Sequence, residues 1–182
     1  MNHGSAAATD NGRLSFLSQP PTGDWRQDIE RPPLGSLISM LFRASVDRVN
    51  DHMAERGISG IRPSHLYILR ALHPSGLSVT ELAERCEVTK QAISQLLEGL
   101  ENMGIVRRNP DPSDRRGKVV TLTKRGENVL ATAVTAWGEV EMEWAHLLDG
   151  IDMRDVRDAI IRFLESYGNW HAGEQPKLRP VW

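Results

Sequence analysis

The stretch that decides the fold reads VTKQAISQLLEGLENMG, residues 88–104. Thr89 is a residue type that caps helix N-termini, and Gly104 is the type that closes helices. With about 100° between successive residues, one side of the intervening helix is apolar. That side holds Ala92, Ile93, Leu96, Leu97, Leu100 and Met103. The other side holds Gln91, Ser94, Gln95, Glu98 and Asn102. The sequence therefore predicts a helix with one buried face and one face rich in amides near its start.

Three helical segments precede this one. SVTE, residues 78–81, is a capping-box pattern and predicts a brief helix with Leu82, Ala83 and Cys86 inward. Pro63 suits the first turn of another short helix, which ends before His73. Further upstream, apolar spacings of three and four predict a long helix that stops near Gly57. Its periodic residues are Leu34, Ile38, Leu41, Ser45, Val49 and Met53.

A hairpin and two helices are predicted after residue 104. The β-prone runs 105–108 and 118–121 flank a polar segment full of turn formers. Thr123 is a second predicted N-cap, for a helix that reaches about Leu148. A last helix from Asp152 has an apolar face made of Val156, Ile160, Phe163, Leu164 and Tyr167.

Charge is segregated along the chain although the formal net charge is only −2. Residues 105–125 carry seven cations and two anions, whereas residues 126–169 carry three cations and nine anions. The first region can attract phosphate, and the second repels it. The predicted hairpin is thus a candidate for contact with nucleic acid.

Composition limits the class of protein. Apolar residues at 40% and charged residues at 25% are typical of a globular chain. Because no apolar run approaches a bilayer-spanning length and residues 1–10 lack signal-peptide features, we expect a cytoplasmic protein with no membrane contact. The single cysteine, Cys86, excludes an internal disulfide and a multi-thiolate zinc site; a buried, inert thiol is favoured over a redox sensor. The histidine spacings fit no metal motif, so no metal or cofactor is expected.

A short helix, a tight turn, a longer capped helix and a basic hairpin follow one another in the order of a winged helix-turn-helix. Gln can pair with adenine, Ser can donate or accept, and Lys90 can reach phosphate or guanine. Arg115 and Arg116 in the hairpin loop can enter a minor groove, with Asp114 holding Arg116 extended. The alternative for the polar helix face is that it is merely solvated. The alternative for Asp114 and Arg116 is a surface salt bridge. The predicted DNA contacts are Thr89, Lys90, Gln91, Ser94, Gln95, Asp114, Arg115, Arg116 and Lys118.

Five segments resemble the MarR family in order and spacing: LAER (82–85), VTKQAISQLL (88–97), LENMGIVRR (100–108), DPSDRR (111–116) and LTKRG (122–126). The resemblance covers about residues 34–168 and implies a homodimeric transcriptional regulator. It also implies that the first, fifth and sixth helices interlock, that the fourth helix enters the major groove, and that Arg116 enters the minor groove of a pseudo-palindromic operator. The arm of about 33 residues and Cys86 depart from the family pattern.

The predicted fold class is mostly α with a small β-hairpin wing: a winged helix-turn-helix domain plus a helical dimerisation region. The division is a mobile arm (1–33), in which Trp25 could dock on the body, a first dimerisation helix with its connection (34–62), a DNA-binding lobe (63–125), dimerisation helices (126–169) and a tail (170–182).

The resemblance to the MarR family implies a regulator that releases DNA when a small aromatic or phenolic acid binds. Repression relieved by such an effector is therefore the favoured function. Candidate pocket residues are Arg43, His65, Tyr67, Trp137 and Trp144. One alternative is a winged-helix module that binds a protein instead of DNA. The other alternative is a small enzyme. No nucleophile elbow, phosphate loop or dinucleotide fingerprint is present, so the chain is not expected to be an enzyme.

Overall fold

The computed structural model describes residues 22–24, 26, 32–110, 118–148 and 150–166. Most of the predicted arm with Trp25, the loop residues Asp114, Arg115 and Arg116, and Tyr167 with the tail lie outside these described residues.

The element order is α1 (Leu34–Glu55), α2 (Pro63–Leu72), β1 (Leu77–Ser78), α3 (Val79–Cys86), α4 (Lys90–Asn102), β2 (Val106–Pro110), β3 (Lys118–Leu122), α5 (Lys124–Leu147) and α6 (Met153–Ser166). The chain divides into two compact units, residues 1–44 and residues 45–182. The helices thus match the predicted ones to within a few residues, and the mostly helical class with a small sheet is confirmed.

Local capping explains where the helices of the second unit begin. The Ser78 hydroxyl accepts from the Glu81 amide at 3.2 Å, and the Glu81 carboxylate accepts from the Ser78 amide at 2.8 Å. Thr89 caps α4 by accepting from the Ala92 amide at 3.2 Å. These bonds satisfy backbone donors that the first turn of a helix leaves without partners. The predicted capping box and the predicted cap of the fourth helix are confirmed.

The sheet has three antiparallel strands in the order β1–β3–β2. In the hairpin, Val106 pairs with Leu122 and Pro110 pairs with Lys118. Strand β1 was not predicted. Its two residues are too few for an alternating pattern, and Ser78 was interpreted as part of the capping box at 78–81. Leu77 pairs with Val120 of β3, so the hairpin is attached to the start of α3.

A tight junction connects the hairpin to α5. Thr123 accepts from the Gly126 amide at 3.1 Å, which confirms the predicted cap. Its hydroxyl also lies 2.7 Å from the Gly104 carbonyl and 3.1 Å from the Ile105 carbonyl. A Cβ on Gly126 would overlap the Ile105 carbonyl oxygen. Helix α5 therefore approaches the end of the α4–β2 connection closely enough to require glycine.

The core of the second unit joins α2, α3, α4, the hairpin and the middle of α5. Its most buried side chains, none more than 2% exposed, include Leu69, Leu82, Ile93, Leu97, Leu100, Val120 and Val140. Other apolar side chains remain exposed in each unit. They include Leu34, Ile38 and Met40 in the first unit, and Ile160, Phe163 and Leu164 on α6 in the second. Within the described ranges, every helix is too short or too polar to span a bilayer.

Candidate nucleic-acid interface

Helix α4 buries one face and presents the other, as its sequence predicts. Ile93, Leu97 and Leu100 are at most 1% exposed. Gln91 and Gln95 are exposed on the opposite side, and Ser94 between them is half-buried. Because the buried residues fix the rotation of the helix, the two amides project outward within its first two turns.

The start of α4 adds exposed polar groups to this face. Lys90 is exposed in the first turn, and Thr89 is exposed immediately before it. The Thr89 oxygen already accepts from the Ala92 amide, so its hydroxyl hydrogen is the group left to donate to a ligand. Helix N-termini favour phosphate, and this one is accompanied by an ammonium group. The arrangement suits contact with a polyanion.

A tight turn between α3 and α4 holds this helix in place. Glu87 adopts a left-handed backbone with φ of 54°, and its amide donates to the Ala83 and Glu84 carbonyls. Non-glycine residues seldom adopt this conformation. It closes α3 within one residue and leaves Val88 half-buried against the core. The helix-turn-helix geometry thus depends on backbone conformation as well as on the apolar pattern.

The hairpin carries a small polar network that sequence reasoning did not single out. Arg107 faces Thr121 across the two strands, and its Nε donates to the Thr121 hydroxyl at 3.4 Å. The Asn109 amide donates to the same oxygen at 2.8 Å. Residues two apart on a strand share a face, so all three side chains lie on one face of the hairpin. Only the strand register, which short runs do not specify, could have revealed this network.

An ion pair links the hairpin to the end of α4. Arg108 Nε lies 3.3 Å from Glu101 Oε2, and both side chains are about one-third exposed. Glu101 therefore does not present an isolated negative charge next to the amide face.

Exposed cations flank the hairpin. Lys118 begins β3, and Lys124 and Arg125 begin α5; all three side chains are exposed. Lys124 pairs with Glu127 at 3.4 Å. The predicted role of Asp114, Arg115 and Arg116 stays a prediction, because these residues lie outside the described ranges.

The predicted effector residues have different environments. Burial, together with the nearby Arg62 charge, lowers the pKa of His65, and its Nδ1 accepts from the Arg62 amide at 3.2 Å. The ring is thus neutral, with its proton on Nε2. Burial raises the pKa of the half-buried Tyr67, so its hydroxyl is protonated and able to donate.

The other three predicted effector residues are each described by their own surroundings. Trp144 lines a cleft of about 290 Å³ between α5 and α6, and Trp137 packs half-buried against the core. Arg43 belongs to the first unit, where its side chain is exposed. The effector role of these residues stays a prediction.

Cys86 is 5% exposed, and burial raises the pKa of its thiol against the opposing influence of Arg85. This agrees with the predicted inert thiol. Among the described side chains, no group of three or more His, Cys, Asp or Glu residues is arranged to hold a metal ion.

A capped helix with exposed amides, preceded by a tight turn and followed by a cationic hairpin, defines the chain as a winged helix-turn-helix protein. Residues 59–117 match the family model described as the MarR family. Over these residues the chain is similar to the MarR family.

The relatives that the chain resembles are named as transcriptional regulators. The chain is 33% identical over 89 residues to the transcriptional regulator HosA of Escherichia coli O111:H-, an alignment that covers 49% of this chain and 66% of the relative. It is 31% identical over 96 residues to the HTH-type transcriptional repressor MdtR of Bacillus subtilis, which covers 52% of this chain and 62% of the relative. The chain thus spans less than two thirds of the length of these curated relatives.

Solved structures show the same fold. The reduced form of MarR from E. coli has a TM-score of 0.60 at 23% identity, over 73% of this chain and 97% of that chain. The S. aureus MepR–DNA complex has a TM-score of 0.57 at 19% identity, over 75% of this chain and 99% of that chain.

Proposed function

We propose that this chain is a transcriptional regulator that binds double-stranded DNA as a homodimer, with the start of α4 in the major groove. The observation that carries the proposal is the exposure of Gln91 and Gln95 above a buried apolar face of the same helix. A side-chain amide can make two hydrogen bonds to adenine, so this face is suited to reading base edges. The match of residues 59–117 to the MarR family model supports the same function.

The electrostatics support phosphate contact on both sides of that face. Lys90 lies at the helix start, and Lys118 and Arg125 are exposed near the hairpin. Arg116, in the loop between β2 and β3, is proposed to enter the minor groove and Asp114 to hold it extended. Phosphate contacts position the protein, whereas the α4 amides specify sequence.

Binding can be tested with a library of random-sequence duplexes from which the preferred site is selected. Affinity for that site and for a mixed-sequence duplex is then measured by fluorescence anisotropy at several salt concentrations. We expect log K to fall linearly with log salt, with a slope of about −0.9 per phosphate neutralised. If no preferred site is selected from the library and the mixed-sequence duplex shows no salt-dependent binding, the proposal is contradicted and a protein-interaction module is favoured.

Variants separate specificity from general affinity. The Gln91→Ala and Gln95→Ala variants should lose preference for the selected site, each by about 1–3 kcal/mol, and keep most of their mixed-sequence binding. Arg116→Ala should weaken binding. The matched control is Arg162→Ala, which loses the same charge on an exposed position of α6. Equal effects of Arg116→Ala and Arg162→Ala would reject the assigned role of the loop.

Dimerisation is proposed on separate grounds. On α6, Ile160 is 52% exposed and Phe163 is 60% exposed, although the helix is strongly amphipathic. Apolar faces of this kind mark interaction sites. Phe163→Ser should lower the mass measured by light scattering on dilution, whereas Arg162→Ser, which places the same side chain at the adjacent exposed position, should not. A dilution-stable monomer in the unmodified chain would contradict dimerisation.

We further propose repression relieved by a small aromatic or phenolic acid. MdtR, the relative named above, is itself named a repressor. A neutral His65 with its proton on Nε2 and a protonated Tyr67 are both donors suited to a carboxylate or phenolate. Salicylate is a suitable probe: it should raise the Tm of the free chain and lower its affinity for DNA. Loss of both effects in the Tyr67→Phe variant, with DNA binding itself unchanged, would place the donor at residue 67.

A further inference from the structure

A ladder of charged side chains joins α1 to α5 within the second unit. Arg48 and His52 lie four residues apart on α1, and Arg56 follows four residues later, directly after the last helical residue, Glu55. Glu139 and Glu143 lie four residues apart on α5, so they share one face of that helix. Arg48 donates to Glu143 at 2.7–3.1 Å, and Arg56 Nη2 donates to Glu139 Oε1 at 2.5 Å. His52 lies between the two glutamates, and only 12% of its side chain is exposed.

The two nitrogens of His52 have unequal partners. Nε2 is 3.0 Å from Glu143 Oε1, at hydrogen-bond distance. Nδ1 is 3.4 Å from Glu139 Oε2, yet that oxygen is buried and has no hydrogen-bond partner among the described residues. Ionised carboxylates only accept, and a neutral imidazole has a single N–H. A neutral ring can therefore satisfy one of the two glutamates but not both.

We propose that His52 is a proton-operated clamp between α1 and α5: the imidazolium donates to Glu143 and Glu139 together, whereas the neutral ring holds only Glu143. Protonation supplies the donor that the buried Glu139 oxygen lacks. Because an unsatisfied buried acceptor is costly, the added proton tightens the contact between the two helices. This clamp stands independently of DNA binding.

The other charges around the ring favour the same assignment. Glu55 Oε2 lies 3.7 Å from Nδ1 and is mostly exposed. With Glu139, Glu143, Arg48 and Arg56, the ring thus faces three carboxylates and two guanidinium groups, an excess of one negative charge that the imidazolium neutralises. The hydrogen bonds from Arg48, and secondarily from His52, lower the pKa of Glu143 to about 2. Glu143 is therefore ionised throughout the range in which imidazole titrates.

The clamp makes stability depend on pH in one direction. The folded chain offers the imidazolium two acceptors and the unfolded chain offers none, so the clamp stabilises the fold only while the ring is protonated. We therefore expect the added stability at acid pH and its loss at alkaline pH. Thermal unfolding of the full chain without DNA, at about pH 5.5 and about pH 8.5, measures this dependence.

Relative to His52→Gln, the unmodified chain should gain Tm at the acid pH by roughly 2–4 °C and lose that gain at the alkaline pH. In Glu139→Gln, the new amide can donate to a neutral Nδ1, so the pH dependence should disappear. Glu55→Gln is the matched control, because it removes the same charge at an exposed position, and it should keep the dependence. A Tm difference that is equal at both pH values, or that persists in Glu139→Gln, overturns the proposal.

Nitrogen-15 NMR of the imidazole tests the same point directly on the unmodified chain. In the unmodified chain the neutral ring should carry its proton on Nε2, and Nδ1 should become protonated on acidification. A neutral ring with its proton on Nδ1 overturns the proposal. The signals are assigned by their absence in His52→Gln.

Discussion

Arg108 Nε lies 3.3 Å from Glu101 Oε2, so the third residue of β2 is paired with the last turn of α4. The pair connects the two elements that are proposed to enter the grooves of DNA. It also neutralises an acidic group that would otherwise oppose a phosphate.

Glu101→Gln should therefore increase general affinity for a mixed-sequence duplex at low salt, because it removes an anion and releases Arg108. If Arg108 then reaches a phosphate, the salt slope should steepen by about 0.9. Stability should change by no more than about 1 kcal/mol, since the pair is partly exposed. Glu98→Gln is the control: it makes the same change at an exposed position one turn earlier, and identical salt slopes for the two variants would contradict the role given to Arg108.

Gly126→Ala should destabilise the protein, because the added Cβ would clash with the Ile105 carbonyl oxygen. Relief requires movement of backbone, so we expect a loss of about 1–3 kcal/mol or more in urea unfolding. Gly138→Ala, in the same helix, has no atom within 4 Å of the new Cβ. It should instead stabilise the chain by about 0.5–1 kcal/mol, because alanine favours the helix. If both substitutions change the stability in the same direction and by the same amount, the inferred close approach of α5 to residue 105 is wrong.

Cys86 should react slowly with a thiol reagent in the folded protein. Its side chain is 5% exposed, and burial keeps the pKa of the thiol high, so little thiolate is available. We expect a rate roughly 10²-fold or more below that of the urea-unfolded chain, because reaction requires local opening. As the chain has one cysteine, the label reports this position alone. Fast labelling of the native protein would mean an accessible thiol and would reopen a redox role.

Glu143 should remain ionised far into the acid range. Hydrogen bonds from Arg48 are the main reason that its pKa falls from the usual 4.5 to about 2. Because the pKa is depressed in the folded state, the stabilisation is present above about pH 4.5 and is lost as pH falls toward about 2. Carbon-13 NMR of the Glu143 carboxyl group measures the titration directly. In Arg48→Met the midpoint should move up toward 4.5, and an unchanged midpoint would remove Arg48 as the cause.

The helices and their limits could be predicted from the sequence because they depend on local rules. The capping box of Ser78 and Glu81, the cap at Thr89, and the apolar period of Ile93, Leu97 and Leu100 each involve residues within one or two turns. The capping residues of a helix and its apolar period are properties of short segments. The amide face at Gln91 and Gln95 followed from the same rules, since a buried side determines the exposed one.

Strand β1, the hairpin register and the charged ladder depended on tertiary structure. Leu77 joins the sheet only because Val120 of β3 lies beside it, and Asn109 meets Thr121 only in the observed register. His52 and Glu139 are 87 positions apart in the chain, and no periodicity relates them. Contacts between distant segments are set by how the helices and strands pack together, whereas the sequence alone determined which segments are helices and which of their faces are apolar.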